Sequence, residues 1–246
     1  HLSFDFGGVT LRSISSFASI DTDFGFDLAG GGRDFGPVPA AQFGLRIRSE
    51  SEFEQWSQEL QLLGNLGDAL LWQLGGYYMH KENIIFQDAE RRNVGDARSR
   101  HQGVEYSVDW RFAQQWALAA DGTYALHRYD GDAPLQGLAP GTGIDGNDMD
   151  TAPRAMASVR LRWTPRERVT AELEWQHMGR YFLEPTESFD YEGHELLHLR
   201  VNQQLTPRFS WSARVTNLTD EQYADRADYA FGDYRYFIGE PRSLFV

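Results

Sequence analysis

Seven histidines are spread along the 246 residues (His1, His80, His101, His127, His177, His194 and His198), and only His194 and His198 are spaced to suggest a joint role. Four residues apart on a helix, they would share an ion. On a strand they point to one face but stand about 13 Å apart, too far to share one. There is no cysteine, so thiolate ligands and disulfides are excluded. The acidic stretch Asp145-Gly146-Asn147-Asp148-Met149-Asp150 lacks both the spacing and the distal glutamate of a calcium loop, and it reads as a solvated loop. No nucleophile with a positioned base can be assembled. The residues therefore predict no catalytic site, no metal site and no cofactor: the chain is not expected to be an enzyme.

A formal net charge of −13 argues against nucleic acid, whose phosphates most of this surface would repel. All basic residues but Lys81 are arginine, which suits bidentate contact with phosphates or carboxylates of lipid head groups or ligand, although base-composition bias of the genome is the simpler reading. Aromatics make up 14% of the chain, yet the mean hydropathy is −0.52. No run approaches the roughly 20 apolar residues of a membrane helix. A transmembrane barrel shows only two-residue alternation, which such averages hide.

That alternation is what the chain shows. Ala155, Ala157, Val159, Leu161 and Trp163 alternate with Arg154, Met156, Ser158, Arg160 and Arg162. Val169, Ala171, Leu173 and Trp175 alternate with Thr170, Glu172, Glu174 and Gln176. Leu197, Leu199 and Val201 alternate with His198, Arg200 and Asn202, and Phe209, Trp211, Ala213 and Val215 with Ser210, Ser212, Arg214 and Thr216. Such order over many segments predicts strands with one apolar and one polar face. About ten are expected, near 9–19, 52–62, 70–83, 101–112, 116–128, 154–163, 167–178, 193–204, 208–217 and 234–246, with 1–6 the tail of another. Ten residues tilted near 45° cover about 23 Å, close to the apolar band of a membrane barrel.

Connections alternate too. Short links are expected at 64–68, 113–115, 164–167 and 205–207, and long ones at 21–50, 82–100, 129–151, 179–190 and 218–233. Trp72, Trp110, Trp116, Trp163 and Trp211 lie near short links, where an interfacial aromatic girdle would place them. The fold class this predicts is all-β: an antiparallel up-and-down transmembrane β-barrel, here a partial barrel of about ten strands.

Particular residues sharpen this. Asn217-Leu218-Thr219-Asp220, then Tyr223, then Gly239, Pro241 and Arg242 resemble the C-terminal end of TonB-dependent receptors. Ser57-Gln58-Glu59-Leu60, followed by Trp72 to Tyr78, is similar to a recurrent hairpin of the same family, and Pro153-Arg154 to its later strand starts. The resemblance implies that 1–246 is the C-terminal portion of such a barrel, with the plug domain and the first half of the barrel outside it. It further implies active transport of a scarce, bulky nutrient (ferric siderophore, cobalamin, haem or glycan) across the outer membrane of a Gram-negative bacterium. The implied partners are outer-membrane lipid and lipopolysaccharide, a small-molecule or metal-chelate ligand, and the TonB complex through the plug. Arg160, Arg162, Glu172, Glu174, His198 and Arg200, on the polar face, are the expected lumen-facing candidates. Two alternatives remain open: a complete ten-strand barrel enzyme, such as a protease or lipase, and a passive porin.

Overall fold

The computed structural model describes residues 1–27, 46–87, 92–132, 141–230 and 232–246. Its strands are β1 (Leu2–Asp5), β2 (Val9–Asp27), β3 (Arg46–Leu66), β4 (Leu70–Gln87), β5 (Arg92–Ala113), β6 (Trp116–Tyr129), β7 (Ala155–Arg166) and β8 (Val169–Met178). They continue as β9 (Tyr181–Phe182), β10 (Asp190–Tyr191), β11 (His194–Thr206), β12 (Phe209–Thr216), β13 (Ala224–Ala230), β14 (Asp233–Ile238) and β15 (Ser243–Phe245). Eleven form one sheet in the order β1-β2-β3-β4-β5-β6-β7-β8-β11-β12-β15, antiparallel throughout. β9–β10 and β13–β14 are separate hairpins. The sheet is an up-and-down arc whose edges, β1 and β15, do not pair with each other.

The cross-strand register shows why the alternation matters. Leu66, Leu70, Trp110, Leu118, Leu161, Leu173, Leu199, Val215 and Leu244 are successive partners on nine neighbouring strands, all on one face. None is buried, so this face is not the interior of a sandwich. A contiguous apolar surface of this extent has to be covered by something other than water. Trp116 and Trp163, direct partners near the short links, stack with centroids 5.7 Å apart. Gly64 lets the Trp72 indole lie flat on the sheet: a Cβ at residue 64 would stand 2.4 Å from the ring. The opposite face carries Arg160, Arg162, Glu172, Glu174, His198 and Arg200.

Strict up-and-down order puts the turns at Gly67, Gln114–Gln115, Glu167–Arg168 and Pro207–Arg208 at one end and the long connections at the other. The well-packed part of the chain is at the long-connection end: Ile144, Leu183 and Ala227 are at most 1% exposed, with Tyr181, Tyr129 and Leu196 also buried.

Two expectations need correction. Residues 82–100 are not a long connection, because β4 runs to Gln87 and β5 starts at Arg92; β2 and β3 likewise intrude on 21–50. Beyond the apolar stretch, apolar residues such as Phe24, Ile84 and Ile85 stand among Asp21, Asp23, Glu82 and Arg98, so neither face stays apolar and alternation loses its phase while backbone pairing, which needs no particular side chain, continues. The remainder of those connections, 28–45 and 88–91, lies outside the described residues. The strand expected at 234–246 is two elements: β14 pairs with β13 in a loop hairpin, and only β15 joins the main sheet. Between them stands Pro241, which has no N–H to give a ladder.

Candidate functional site

On the polar face, the register sets opposite charges side by side. Arg160 faces Glu174 across β7–β8, and Glu174 faces His198 across β8–β11; one step along, Arg162 faces Glu172, which faces Arg200. Arg162 holds Glu172 through Nε (3.0 Å) and Nη2 (2.8 Å). Arg160 turns instead to Asp121 on β6, 2.8 Å away, leaving Glu174 to accept from Gln176 (3.1 Å) and Ser158 (3.4 Å). The Arg160 Nε is buried without a hydrogen-bond partner among the described residues, and Arg200 makes no side-chain hydrogen bond or ion pair among them. Beside this ladder lies a trough of about 490 Å³ lined by Glu105, Asp121, Thr123, Met156, Gln176 and His194. His194 and His198 do share one strand face, as expected of β11.

His198 also braces the end of β12: its Nδ1 accepts the Asn217 N–H at 3.2 Å. Asn217 is 1% exposed and sits in the left-handed region at φ 49°. Its Oδ1 accepts the Glu221 N–H (2.8 Å), and its Nδ2 donates to the carbonyls of Glu221 (2.8 Å) and Glu240 (3.2 Å). Asp220 (φ 59°) accepts the Arg242 N–H at 3.2 Å and lies 3.6 Å from its guanidinium. The Leu218 N–H donates to Leu197, and the Gly239 N–H to Tyr223, whose ring covers Gly239 so closely that a Cβ would be 2.2 Å from it. The signature residues Asn217, Leu218, Asp220, Tyr223, Gly239 and Arg242 thus converge on one latch, which ties the ends of the last long connection to β12 and β15; Thr219 sits in its exposed turn and Pro241 interrupts the ladder. This role is architectural. In the second signature, Gln58 accepts from Ser15 (2.6 Å) and donates to Ser13 (3.0 Å), while Glu59 accepts from Gln61; Leu60 joins the apolar face, and Ser57 lies opposite Met79 on the polar one.

Buried acids that sequence spacing does not reveal brace two of the long connections from within. Asp148 holds Arg154 (2.5 Å) and Arg128 (3.4 Å), and Asp228 holds Arg226 (2.6 Å) and Arg235 (2.7 Å). Asp148 is 6% exposed, so the stretch 145–150 is not the solvated loop expected. Burial raises the Glu184 carboxyl pKa, but hydrogen bonds from Thr186 and Ser188 outweigh it and leave that pKa below the ordinary value. His101 and His127, direct partners on β5 and β6, meet Nδ1 to Nδ1 at 2.7 Å, and His101 also bonds Ser99 at 2.8 Å. No metal-binding group of three or more His, Asp or Glu residues occurs among the described residues.

An up-and-down arc with one apolar and one polar face, short turns at one end and a packed cap at the other defines a wall of outer-membrane barrel type. The sequence pattern of the TonB-dependent receptor-like β-barrel matches residues 56–218, about two thirds of the chain. The chain belongs to this family, which is one of transport receptors. Solved structures agree on the fold. The ferric-catecholate import receptor Fiu from K12 E. coli is 13% identical, with a TM-score of 0.66 over 96% of this chain and 41% of that one. The copper transporter OprC is 14% identical, with a TM-score of 0.66 over 98% and 37%. The ferripyoverdine receptor of the Pseudomonas aeruginosa outer membrane is 17% identical, with a TM-score of 0.60 over 81% and 30%. At such identities the likeness establishes the fold alone, and this chain spans less than half the length of each. No curated protein matches by sequence.

Proposed function

We propose that the chain forms the C-terminal arc of the barrel wall of an outer-membrane receptor in a Gram-negative bacterium. In this reading the plug domain and the first half of the barrel are supplied by other segments. The receptor imports a scarce, bulky nutrient with energy delivered through TonB, and ferric chelates lead the ligand classes because the similar structures include a ferric-catecholate and a ferripyoverdine receptor. Cobalamin, haem and glycan are the other classes to test.

The observation that carries this reading is the family match, in a sheet whose long connections are gathered at one end and hydrogen-bonded to one another there, Asn147 to Pro185, Asp148 to Glu187 and Tyr181 to Ala227. A packed cap suits selective capture, whereas a passive pore needs none. Lipid and lipopolysaccharide surround the apolar face. The polar face meets plug or ligand, with the exposed Arg200 the group best placed to engage them, since it alone of the candidates has no side-chain partner among the described residues.

The test is uptake. Deleting the gene that encodes this chain is expected to abolish uptake of one member of a panel of radiolabelled ferric chelates. The intact gene should restore it only while TonB is present and the inner membrane is energised. Uptake that survives the loss of TonB would indicate a passive pore, and turnover of a peptide or ester substrate by the purified receptor would indicate the barrel enzyme.

A further inference from the structure

Arg100 on β5 and Arg128 on β6 are direct cross-strand partners, and His80 on β4 is the partner of Arg100 on its other side. Like charges directly opposite each other on a sheet are unfavourable unless an anion lies between or before them. All three stand on the apolar face, because the ladders from His80 to Leu70, Arg100 to Trp110 and Arg128 to Leu118 carry no bulge. Trp56, the partner of His80, extends this row with an aromatic and lies 5.3 Å from Tyr78.

Height follows from strand length. Arg100 is ten residues from Trp110 along β5, and Arg128 is twelve from Trp116 along β6. At about 3.3 Å per residue and a tilt near 45°, these intervals rise roughly 23 and 28 Å, bracketing the apolar band of a membrane barrel, which is about 25 Å tall. With Trp110 and Trp116 at the inner interface, both guanidiniums reach the headgroups of the outer leaflet.

Their own acids leave them open. Asp130 meets Arg100 at Nε (3.1 Å) and His80 at 3.6 Å, and Asp148 meets Arg128 at Nε (3.4 Å) while also holding Arg154. The terminal nitrogens of Arg100 and Arg128 make no hydrogen bond among the described residues, and both side chains are half exposed. Each acid therefore orients a guanidinium without capping its fork, the edge that binds phosphate in a bidentate manner.

Resting on the transmembrane reading above, we propose that Arg100 and Arg128, flanked by His80 and Trp56, bind the phosphate groups of an outer-leaflet glycolipid. The test uses the full-length receptor in detergent, with native mass spectrometry to measure retention of added bisphosphorylated lipid A. Heat-modifiable gel migration reports barrel formation independently. The wild type is expected to retain lipid A about tenfold better than its dephosphorylated form. The double variant Arg100→Gln/Arg128→Gln should lose that preference, and Arg100→Lys/Arg128→Lys, which keeps charge but not the fork, should keep part of it. The Lys pair serves as the reference if the Gln pair fails to form a barrel. Undiminished retention by a folded Gln pair, or full retention by the Lys pair, would overturn the assignment. So would equal retention of the dephosphorylated lipid, which would indicate apolar contact only, or displacement by millimolar inorganic phosphate, which would indicate a site for soluble anions. A wild-type receptor that forms no heat-modifiable species would remove the transmembrane reading itself, a result separable from all the others.

Discussion

Replacing Asn217 by alanine is expected to destabilise the receptor by about 3–5 kcal/mol, the largest effect of any single truncation at the latch. The substitution strands three backbone groups at once: the Glu221 N–H and the carbonyls of Glu221 and Glu240. A buried polar group left unpaired costs about 1–3 kcal/mol, and water reaching the opened latch recovers part of that. Alanine at φ 49° adds about 1 kcal/mol that glycine would not. Asn217→Gly should therefore be milder than Asn217→Ala by about that amount, which separates backbone strain from lost hydrogen bonds. Asn217→Asp keeps the acceptor for Glu221 N–H but replaces the two donated bonds with repulsion between oxygens, so it should not rescue. Equilibrium unfolding in detergent, read by heat-modifiable migration, measures the series. A loss under about 0.5 kcal/mol for Asn217→Ala would show that the latch is incidental.

The second large effect concerns the apolar face. Leu199 lies between Leu173 and Val215 in register, about seven residues up β11 from Thr206, which places it roughly 16 Å above the short turns. Arginine there would stand near the middle of the hydrocarbon and should cost about 2–4 kcal/mol. Its sequence neighbour Arg200 faces the other way and makes no ion pair among the described residues, so Arg200→Leu should change stability by less than about 1 kcal/mol. Unfolding of the reconstituted receptor would show the contrast. Equal tolerance at the two positions would mean that neither face is in lipid.

The strand cores and their two faces were legible because apolar side chains recur with period two wherever one face has to leave water. Where apolar and charged residues mix on both faces the signal vanishes, and the outer ends of β2 to β5, with Phe24, Ile84 and Ile85 among Asp21, Asp23 and Glu82, went unseen for that reason. Pairs between strands depend on register, which a bulge can shift. The irregularity between Trp110 and Ala113 sets His101 opposite His127; a tight hairpin from Ala113 and Trp116 would have set it opposite Arg128. The signature around Asn217 identified the family from letter order, but its work as a latch needed coordinates, since Glu240 is 23 residues away. Asp148 and Asp228 were hidden in another way. An acid in a loop looks solvated until the arginines that bury it are seen, and those come from β6 and the start of β7 in one case and from the β13–β14 hairpin in the other.

The 246 residues hold no cysteine, so once any cysteine elsewhere in the receptor is replaced, the central claim, that one face of this sheet meets lipid and the other a polar interior, is directly measurable. Single cysteines introduced from Val159 to Trp163 and from Leu197 to Val201 in the full-length receptor can carry spin labels in reconstituted bilayers. Collision with molecular oxygen is expected at Val159, Leu161, Trp163, Leu197, Leu199 and Val201. Low oxygen collision is expected at Arg160, Arg162, His198 and Arg200, with contact with a water-soluble nickel chelate wherever the interior is open. Accessibility without a two-residue period, or with the opposite phase, would contradict the claim.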